Sequence, residues 1–141
     1  MKKLYRLVID TNVIISALRS KQGASYKLMY QIDRNDLELY LSVPLVIEYE
    51  KVAIDHLGVI PFSLAEVNKY IDFLCLIAKK RKIHYLWRPF LKDSKDDMVL
   101  ELAVEGSCKY IVTFNKKDFQ GSEKFGVTVL TPKEFLNLIG E

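Results

Sequence analysis

Acidic residues in this sequence occur where α/β proteins place groups that carry out chemistry. Asp10 follows the apolar run 7–9, and Asp118 lies shortly after the apolar run 110–112. Ligands of open α/β sheets bind beyond the carboxyl ends of the strands, so polar residues that follow such runs are candidates for an active site. Each residue alone also has a structural interpretation, since Asp10 can cap the next helix and Asp118 can be an ordinary loop residue.

Glu48 is a further candidate because it lies on the apolar stripe of a predicted helix. Pro44 opens this helix. The stripe is defined by Leu45, Tyr49, Val52 and Ala53. An unpaired carboxylate in the interior is costly, so Glu48 requires a partner. The partner can be a cation at an active site or one of the abundant lysines.

The acidic segment 93–97 supplies the last candidate. Its sequence is Asp-Ser-Lys-Asp-Asp, directly before a helical pattern. Ser94 followed by Asp97 is typical of a capping box, and acids in a first helical turn interact favourably with the helix dipole. Three carboxylates exceed what capping requires, so one or more of them can serve a cation. We take Asp97 as the ligand and leave the choice among Asp93, Asp96 and Asp97 open.

A cluster of four such acids predicts a divalent cation. At an effective dielectric constant near 20, two unit charges about 4 Å apart repel by roughly 4 kcal/mol, so the cluster needs a counter-charge. Oxygen ligands without nearby His or Cys favour Mg²⁺ or Mn²⁺ over Zn²⁺. His56 and His84 lack ligand spacing and are interpreted as incidental.

Apolar runs alternate along the chain with segments of helical periodicity. The predicted strands are 4–9, 37–41, 83–86, 110–113 and 127–130. The predicted helices are 13–19, 24–33, 44–55, 64–80, 95–105 and 132–138. This alternation predicts a doubly wound α/β fold, which can bring the acids to one edge of its sheet. The basic run 79–82 is interpreted as the solvated end of the fourth helix.

Length and composition favour one intracellular domain. The 141 residues, half of them apolar, suffice for one core, so we predict a single domain over 1–141. Lys and Arg exceed Asp and Glu by 21 to 18, which permits a polyanionic partner without requiring one. Cys75 and Cys108 show no zinc or redox spacing, which favours small core residues of a reduced, cytoplasmic protein. We expect neither a secretory signal nor a membrane span.

Two other functions remain open. An aspartyl-phosphate phosphatase begins with Asp-x-Asp, whereas this chain has Asn12 two residues after Asp10, which removes the acid and base of that chemistry. A catalytically idle RNA-binding domain is the second alternative. The segment 121–128 has the glycine spacing of a P-loop but lacks its lysine, so we reject that motif.

Four segments together resemble the PIN-domain ribonuclease family. They are 8–13 (VIDTNV), 42–48 (SVPLVIE), 96–103 (DDMVLELA) and 111–119 (IVTFNKKDF), and the likeness extends from about Leu4 to Phe135. The resemblance implies a three-layer α/β/α sandwich with a parallel sheet of about five strands. It also implies an endoribonuclease that depends on Mg²⁺ or Mn²⁺. Within the family, the chain is most similar to VapC-type toxins of bacterial toxin–antitoxin systems.

The resemblance assigns roles to individual residues. The catalytic, metal-binding acids would be Asp10, Glu48, Asp97 and Asp118. The supporting residues would be Asn12, Asp96, Thr113 and Asn115. RNA would be held near the metal by Arg19, Lys21, Lys116 and Lys117, with a tyrosine or Trp87 available for base stacking. The implied partners are an RNA substrate and an antitoxin protein, a homodimer is also compatible, and no membrane is involved.

Overall fold

The computed structural model describes residues 3–82 and 90–141. Its parallel sheet contains β1 (Tyr5–Ile9), β2 (Leu37–Leu41), β3 (Lys79–Lys80), β4 (Tyr110–Val112) and β5 (Thr128–Leu130), in the order β3-β2-β1-β4-β5. The α-helices are α1 (Thr11–Arg19), α2 (Ala24–Tyr30), α3 (Val43–Asp55), α4 (Leu64–Ile77), α5 (Ser94–Glu105) and α6 (Pro132–Leu138). Two 3₁₀ helices span Lys116–Phe119 and Ser122–Phe125. The predicted three-layer α/β/α architecture is confirmed.

The central strands are apolar on both faces because helices cover the sheet on each side. The side chains of residues 7–9 in β1 and 111–112 in β4 are completely buried. They belong to one hydrophobic core that also includes buried Cys108, while Cys75 packs against this core partly buried. Within the described parts of the chain, no helix is both long and apolar enough to cross a membrane.

The strand order creates a crevice where the chain reverses its direction of winding. β1 pairs with β2 on one side and with β4 on the other. Such a switch point is where α/β sheets bind ligands, outside the carboxyl ends of the two strands. Asp10 follows β1 and Thr113 follows β4, and the Asp10 backbone N–H donates to the Val112 carbonyl at 2.9 Å. Two of the predicted site residues therefore emerge side by side.

A short strand occurs where the end of a helix was predicted. Helix α4 ends at Ile77, and Lys79–Lys80 form β3 in parallel with residues 40–41 of β2. The prediction of a helix to residue 80, ending in a basic run, was wrong. A short edge strand pairs on one side only and tolerates lysines, so it lacks the apolar pattern of a central strand. The predicted strand 83–86 lies outside the described residues.

Other boundaries differ by a few residues. Helix α2 ends at Tyr30 rather than at residue 33, and β4 ends at Val112 rather than at residue 113. Gly121 and Gly126, which gave the P-loop-like spacing, flank the second 3₁₀ helix with φ values of 94° and 76°. Only glycine adopts such angles without strain, so these glycines serve the turn geometry.

Candidate active site

A cavity of about 730 Å³ lies at the carboxyl end of the sheet and contains most of the predicted acids. Asp10 reaches it from the end of β1, Glu48 from α3, and Asp118 from the first 3₁₀ helix. Asp93 and Asp96, at the beginning of α5, complete the acidic lining. We call this space the acidic cavity. It unites residues from four separate segments of the chain.

Asp10 is held in one orientation by hydrogen bonds at both carboxylate oxygens. Oδ1 accepts from the Thr11 backbone N–H at 2.8 Å, and Oδ2 accepts from the Thr113 hydroxyl at 2.7 Å. Burial raises the pKa of Asp10, these two hydrogen bonds oppose that rise, and the nearby charges of Asp118 and Glu48 add to it. Asp10 therefore caps α1, as its structural interpretation suggested, and also faces the cavity.

Thr113 links Asp10 to the other predicted supporting residues. It is completely buried, and its Oγ1 accepts from the Asn12 side-chain amide at 3.4 Å and from the Asn115 backbone N–H at 3.1 Å. The Asn12 amide oxygen in turn accepts from the Phe114 backbone N–H at 3.4 Å. The network joins the ends of β1 and β4, and it leaves the Thr113 hydroxyl hydrogen directed at Asp10.

Asp97 does not reach the acidic cavity. Its side chain is 7% exposed, and Oδ1 accepts from the backbone N–H groups of Leu91 at 2.9 Å and Phe90 at 3.3 Å. Asp96 lines the cavity instead, since neighbouring residues of a helix point about 100° apart. Burial raises the pKa of Asp96 to about 7, with further contributions from Asp10 and other nearby carboxylates.

The capping box predicted from Ser94 and Asp97 was also wrong. Asp93 is the N-cap residue of α5, and its carboxylate accepts from the Lys95 backbone N–H at 2.9 Å. Ser94 is therefore already the first helical residue. This one-residue shift turns Asp97 towards the interior and Asp96 towards the cavity.

Glu48 has the lysine partner that was one of its two interpretations. The Lys95 ammonium lies 3.5 Å from Glu48 Oε1. The Glu48 side chain is 15% exposed and the Lys95 side chain 58%, so the acid is largely shielded while the base reaches solvent. Lys95 therefore brings a positive charge to the rim of an otherwise acidic cavity.

The donor set fits a hydrated divalent cation. Among the described residues, no three His, Cys, Asp or Glu side chains are grouped so that they could hold a metal ion together. Burial and then nearby carboxylates nevertheless raise the pKa values of Asp10 and Asp96 in this cavity, and its acids offer only oxygen atoms. Mg²⁺ commonly retains several waters and uses one or two carboxylates, so a cation bound partly through water suits this arrangement.

Some residues of the cavity were missed by the sequence analysis. His56 lines it, with Nδ1 2.8 Å from the Val52 carbonyl oxygen, and half-exposed Phe114 lies at another wall. Glu48, Val52 and His56 recur every four residues, which places them on one face of α3. That spacing was the available signal for His56. His84 lies outside the described residues.

The predicted RNA-binding residues are dispersed. Arg19 lines the acidic cavity, and Lys21 lines a groove beside it. Lys116 and Lys117 line a small depression that shares Asn115 and Asp118 with the acidic cavity. The Lys116 ammonium lies 3.0 and 3.2 Å from the two carboxylate oxygens of Glu134. The structure therefore does not bring these two lysines into the acidic cavity. Trp87 lies outside the described residues.

Comparison with known proteins gives one family and a shared fold. The family model described as "PIN domain" matches residues 6–117. The structure of VapBC-1 from nontypeable Haemophilus influenzae aligns with a TM-score of 0.61 at 17% identity, covering 91% of this chain and 98% of that chain. VapBC2 from Rickettsia felis, bound to a DNA fragment from its promoter, aligns with a TM-score of 0.56 at 12% identity, covering 89% and 96%. No curated protein matches the sequence.

Proposed function

This chain belongs to the PIN-domain family, whose members are generally nucleases, and we propose that it is an endoribonuclease that requires Mg²⁺ or Mn²⁺. The observation that carries this proposal is that five acids line one cavity. Asp93 caps α5, and the other four are the candidate ligands. These acids are Asp10, Glu48, Asp96 and Asp118. A cavity lined with carboxylates repels a phosphodiester unless a cation is present, so the site as built requires the metal for its substrate to bind.

These four acids would hold the cation together, one or two of them directly and the others through its bound waters, because no three of them are grouped closely enough to share it directly. A divalent cation lowers the pKa of a bound water and offsets the charge that develops on the phosphoryl oxygens. Asp10 is fixed by Thr113 and by the start of α1, so its oxygens need no reorganisation when the cation binds. Lys95 balances the charge of Glu48 at the rim. Arg19, exposed at the other side of the cavity, can attract the RNA backbone.

Asp96 replaces Asp97 as the proposed third acid. The Asp97 carboxylate is occupied by two backbone N–H groups and is shielded from the cavity, which supports a structural role. Asp96 is half-buried, lines the cavity, and lies close enough to Asp10 and Asp118 for their charges to raise its pKa. Asp97 is thus proposed to hold in place the segment that leads into the helix carrying Asp96.

RNA cleavage with and without Mn²⁺ tests the proposal. Asp10→Asn and Asp96→Asn should each lower the cleavage rate by about 100-fold or more, because even residues behind metal ligands contribute about 10- to 100-fold. Glu105→Gln is the matched control, since Glu105 is exposed at the other end of α5 and lines no part of the cavity. EDTA should abolish cleavage by the wild type.

Three outcomes would contradict this assignment. Cleavage that persists in both Asp variants would remove the acids from the reaction. Release of phosphate from small phosphoesters without RNA cleavage would favour the aspartyl phosphatase. RNA binding without cleavage under any metal condition would favour the idle binding domain.

We further propose that the protein is the toxin of a toxin–antitoxin pair. Two solved structures with the same fold over nearly the whole chain are VapBC complexes, which supports an antitoxin protein as the partner. Strong expression should then arrest growth in a bacterial host, Asp10→Asn should remove the arrest, and co-expression of an antitoxin should restore growth. Normal growth with a demonstrably active nuclease would contradict the toxin role and leave the nuclease assignment intact.

A further inference from the structure

A second groove of about 600 Å³ adjoins the acidic cavity, between α2 and α6. Its lining includes Lys21, Tyr26, Lys27, Tyr30 and Lys133, and we call it the basic groove. We propose that the basic groove binds single-stranded RNA that extends from the acidic cavity, with Tyr30 as the surface on which a base stacks. This inference rests on the proposed ribonuclease function and assigns it a substrate-binding extension.

The two spaces are connected through consecutive residues of the chain. Arg19 and Ser20 line the acidic cavity, whereas Lys21 and Gln22 line the basic groove. Adjacent Cα atoms are about 3.8 Å apart, so the groove begins within one residue of the cavity wall. The Cα atom of Lys21 therefore lies within about 7 Å of that of Arg19, close enough for one RNA strand to contact both side chains.

The groove carries uncompensated positive charge. Lys21, Lys27 and Lys133 are all exposed, and in the part of the chain that the structure describes none of them forms an ion pair within 4 Å. Glu141 is the acid that lines the groove, and its carboxylate lies 3.2 Å from the Arg34 guanidinium. Phosphate groups bind such surfaces by releasing counterions, so the groove is suited to a polyanion.

Aromatic rings accompany these charges. The Tyr30 side chain is 77% exposed, and its ring centroid lies 6.1 Å from that of Tyr26, at an interplanar angle of 32°. Lys27 lies between the two tyrosines in the sequence. Proteins that bind single strands combine a cationic groove with aromatic faces that stack on bases, and only unpaired bases are free to stack in this way.

The lining favours RNA over a protein partner. The three lysines give the groove a charge that suits a polyanion, Leu136 is only 4% exposed, and Gln22 and Asn137 contribute polar amides. Amide groups and ammonium groups are donors for phosphate and ribose oxygens. We therefore treat a protein partner at this groove as a competing outcome of the experiment.

The experiment measures binding of a fluorescently labelled single-stranded RNA in EDTA. Without metal the RNA is not cleaved and the acidic cavity repels it, so the measured binding reports the basic groove. The groove variant combines Lys21→Gln, Lys27→Gln and Lys133→Gln. The control variant combines Lys3→Gln, Lys79→Gln and Lys109→Gln, which removes the same charge from exposed positions that line neither space. RNA affinity falls as salt rises. The steepness of that fall, as log affinity against log salt concentration, should decrease by about 2 in the groove variant, at about 0.7 per phosphate contact, and should not change in the control.

Tyr30 is tested separately at constant charge. Tyr30→Ala should weaken RNA binding by about 5- to 150-fold, the range expected for one stacked base, whereas Tyr30→Phe should bind like the wild type. In cleavage assays with Mn²⁺, Tyr30→Ala should lower kcat/KM on a long single strand. It should not lower kcat/KM on a fragment short enough to occupy the acidic cavity alone.

The possible results separate this inference from the proposed function. Equal salt slopes in the two lysine variants, or unchanged RNA binding by Tyr30→Ala, would overturn the inference while RNA cleavage stands. Unchanged RNA binding together with weaker antitoxin binding by Tyr30→Ala would also overturn it, in favour of a protein surface. If the wild type never cleaves RNA but the groove variants lose RNA binding, the proposed nuclease activity is refuted and the RNA-binding role of the basic groove is supported.

Discussion

Asp97→Ala is expected to destabilise the protein without removing its response to metal. The Asp97 carboxylate accepts two backbone hydrogen bonds, from Leu91 at 2.9 Å and from Phe90 at 3.3 Å. Leu91 is buried, so its N–H would have no water to replace the lost acceptor, whereas Phe90 is exposed and can be hydrated. The loss of stability is therefore set mainly by the hydrogen bond from the Leu91 N–H.

The magnitude follows from that one buried donor. Loss of a charged acceptor from a buried N–H costs about 2–3 kcal/mol. At about 2.1 cal/mol/K of unfolding entropy per residue, a chain of 141 residues loses about 0.3 kcal/mol of stability per degree near its melting temperature. Asp97→Ala should therefore lower the melting temperature by about 7–10 °C. Asp97→Asn, which retains an acceptor oxygen, should lower it less.

Asp96→Asn should change the melting temperature in the opposite direction. The substitution removes a charge that is disfavoured first by burial and then by nearby carboxylates, so the metal-free protein should melt about 3 °C higher. The gain stays near 1 kcal/mol because the side chain is only half-buried. A hundredfold excess of Mn²⁺ over its dissociation constant adds about 2.7 kcal/mol, or about 9 °C, to the wild type. Asp96→Asn should lose most of that gain, and Asp97→Ala should retain it.

Thermal melts of the wild type, Asp96→Asn and Asp97→Ala, each in EDTA and in Mn²⁺, make the comparison. The reasoning would be refuted if Asp97→Ala melted like the wild type in EDTA and failed to respond to Mn²⁺. The same conclusion would follow if Asp96→Asn left the metal response complete. Either pattern would return the role of ligand to Asp97.

Three further predictions concern the surroundings of the acids. Thr113→Val removes the hydroxyl donor to Asp10 and should lower Mn²⁺ affinity or the cleavage rate by about 10- to 100-fold. Thr113→Ser keeps the donor and should retain both properties. Equal activity of the two variants would contradict a role for this hydrogen bond. Lys95→Ala removes the ion pair with Glu48, so cleavage should reach half its maximal rate at a lower Mn²⁺ concentration. The free energy of unfolding in denaturant titrations should change by less than about 1 kcal/mol. Tyr49→Phe leaves the last carbonyl of β1 without its buried hydroxyl donor, so the free energy of unfolding should fall by about 1–3 kcal/mol in denaturant titrations. An unchanged free energy of unfolding would show that this hydrogen bond does not stabilise the fold.

The sequence predicted the fold because its central strands are continuous apolar runs. Residues 7–9 and 111–112 are buried on both faces, so their pattern does not depend on distant contacts. The position of Asp10 followed directly, since a polar residue after such a strand must leave the sheet at its carboxyl end. β3 was missed because two lysines at a sheet edge carry no apolar signal, and their pairing with β2 is a tertiary contact.

The choice between Asp96 and Asp97 could not be made from the sequence. Both are acids at the beginning of one helix, and a shift of the N-cap from Ser94 to Asp93 decides which of them faces the cavity. The backbone donors of Asp97 come from Phe90 and Leu91, in a segment that showed no pattern of its own. Likewise, the lysine that pairs with Glu48 is 47 positions away, and nothing local distinguishes it from the other lysines.

The hydrogen bond from Thr113 to Asp10 joins residues 103 positions apart in the chain. β4, which delivers Thr113, is also the strand that pairs with β1 along its second edge. A chain still on the ribosome, with only its first hundred residues synthesised, therefore contains Asp10 and Glu48 but neither the strand nor the hydroxyl that assembles them into a site. We expect nascent chains and products of premature termination that end before Thr113 to lack the proposed activity, because the site cannot assemble in them.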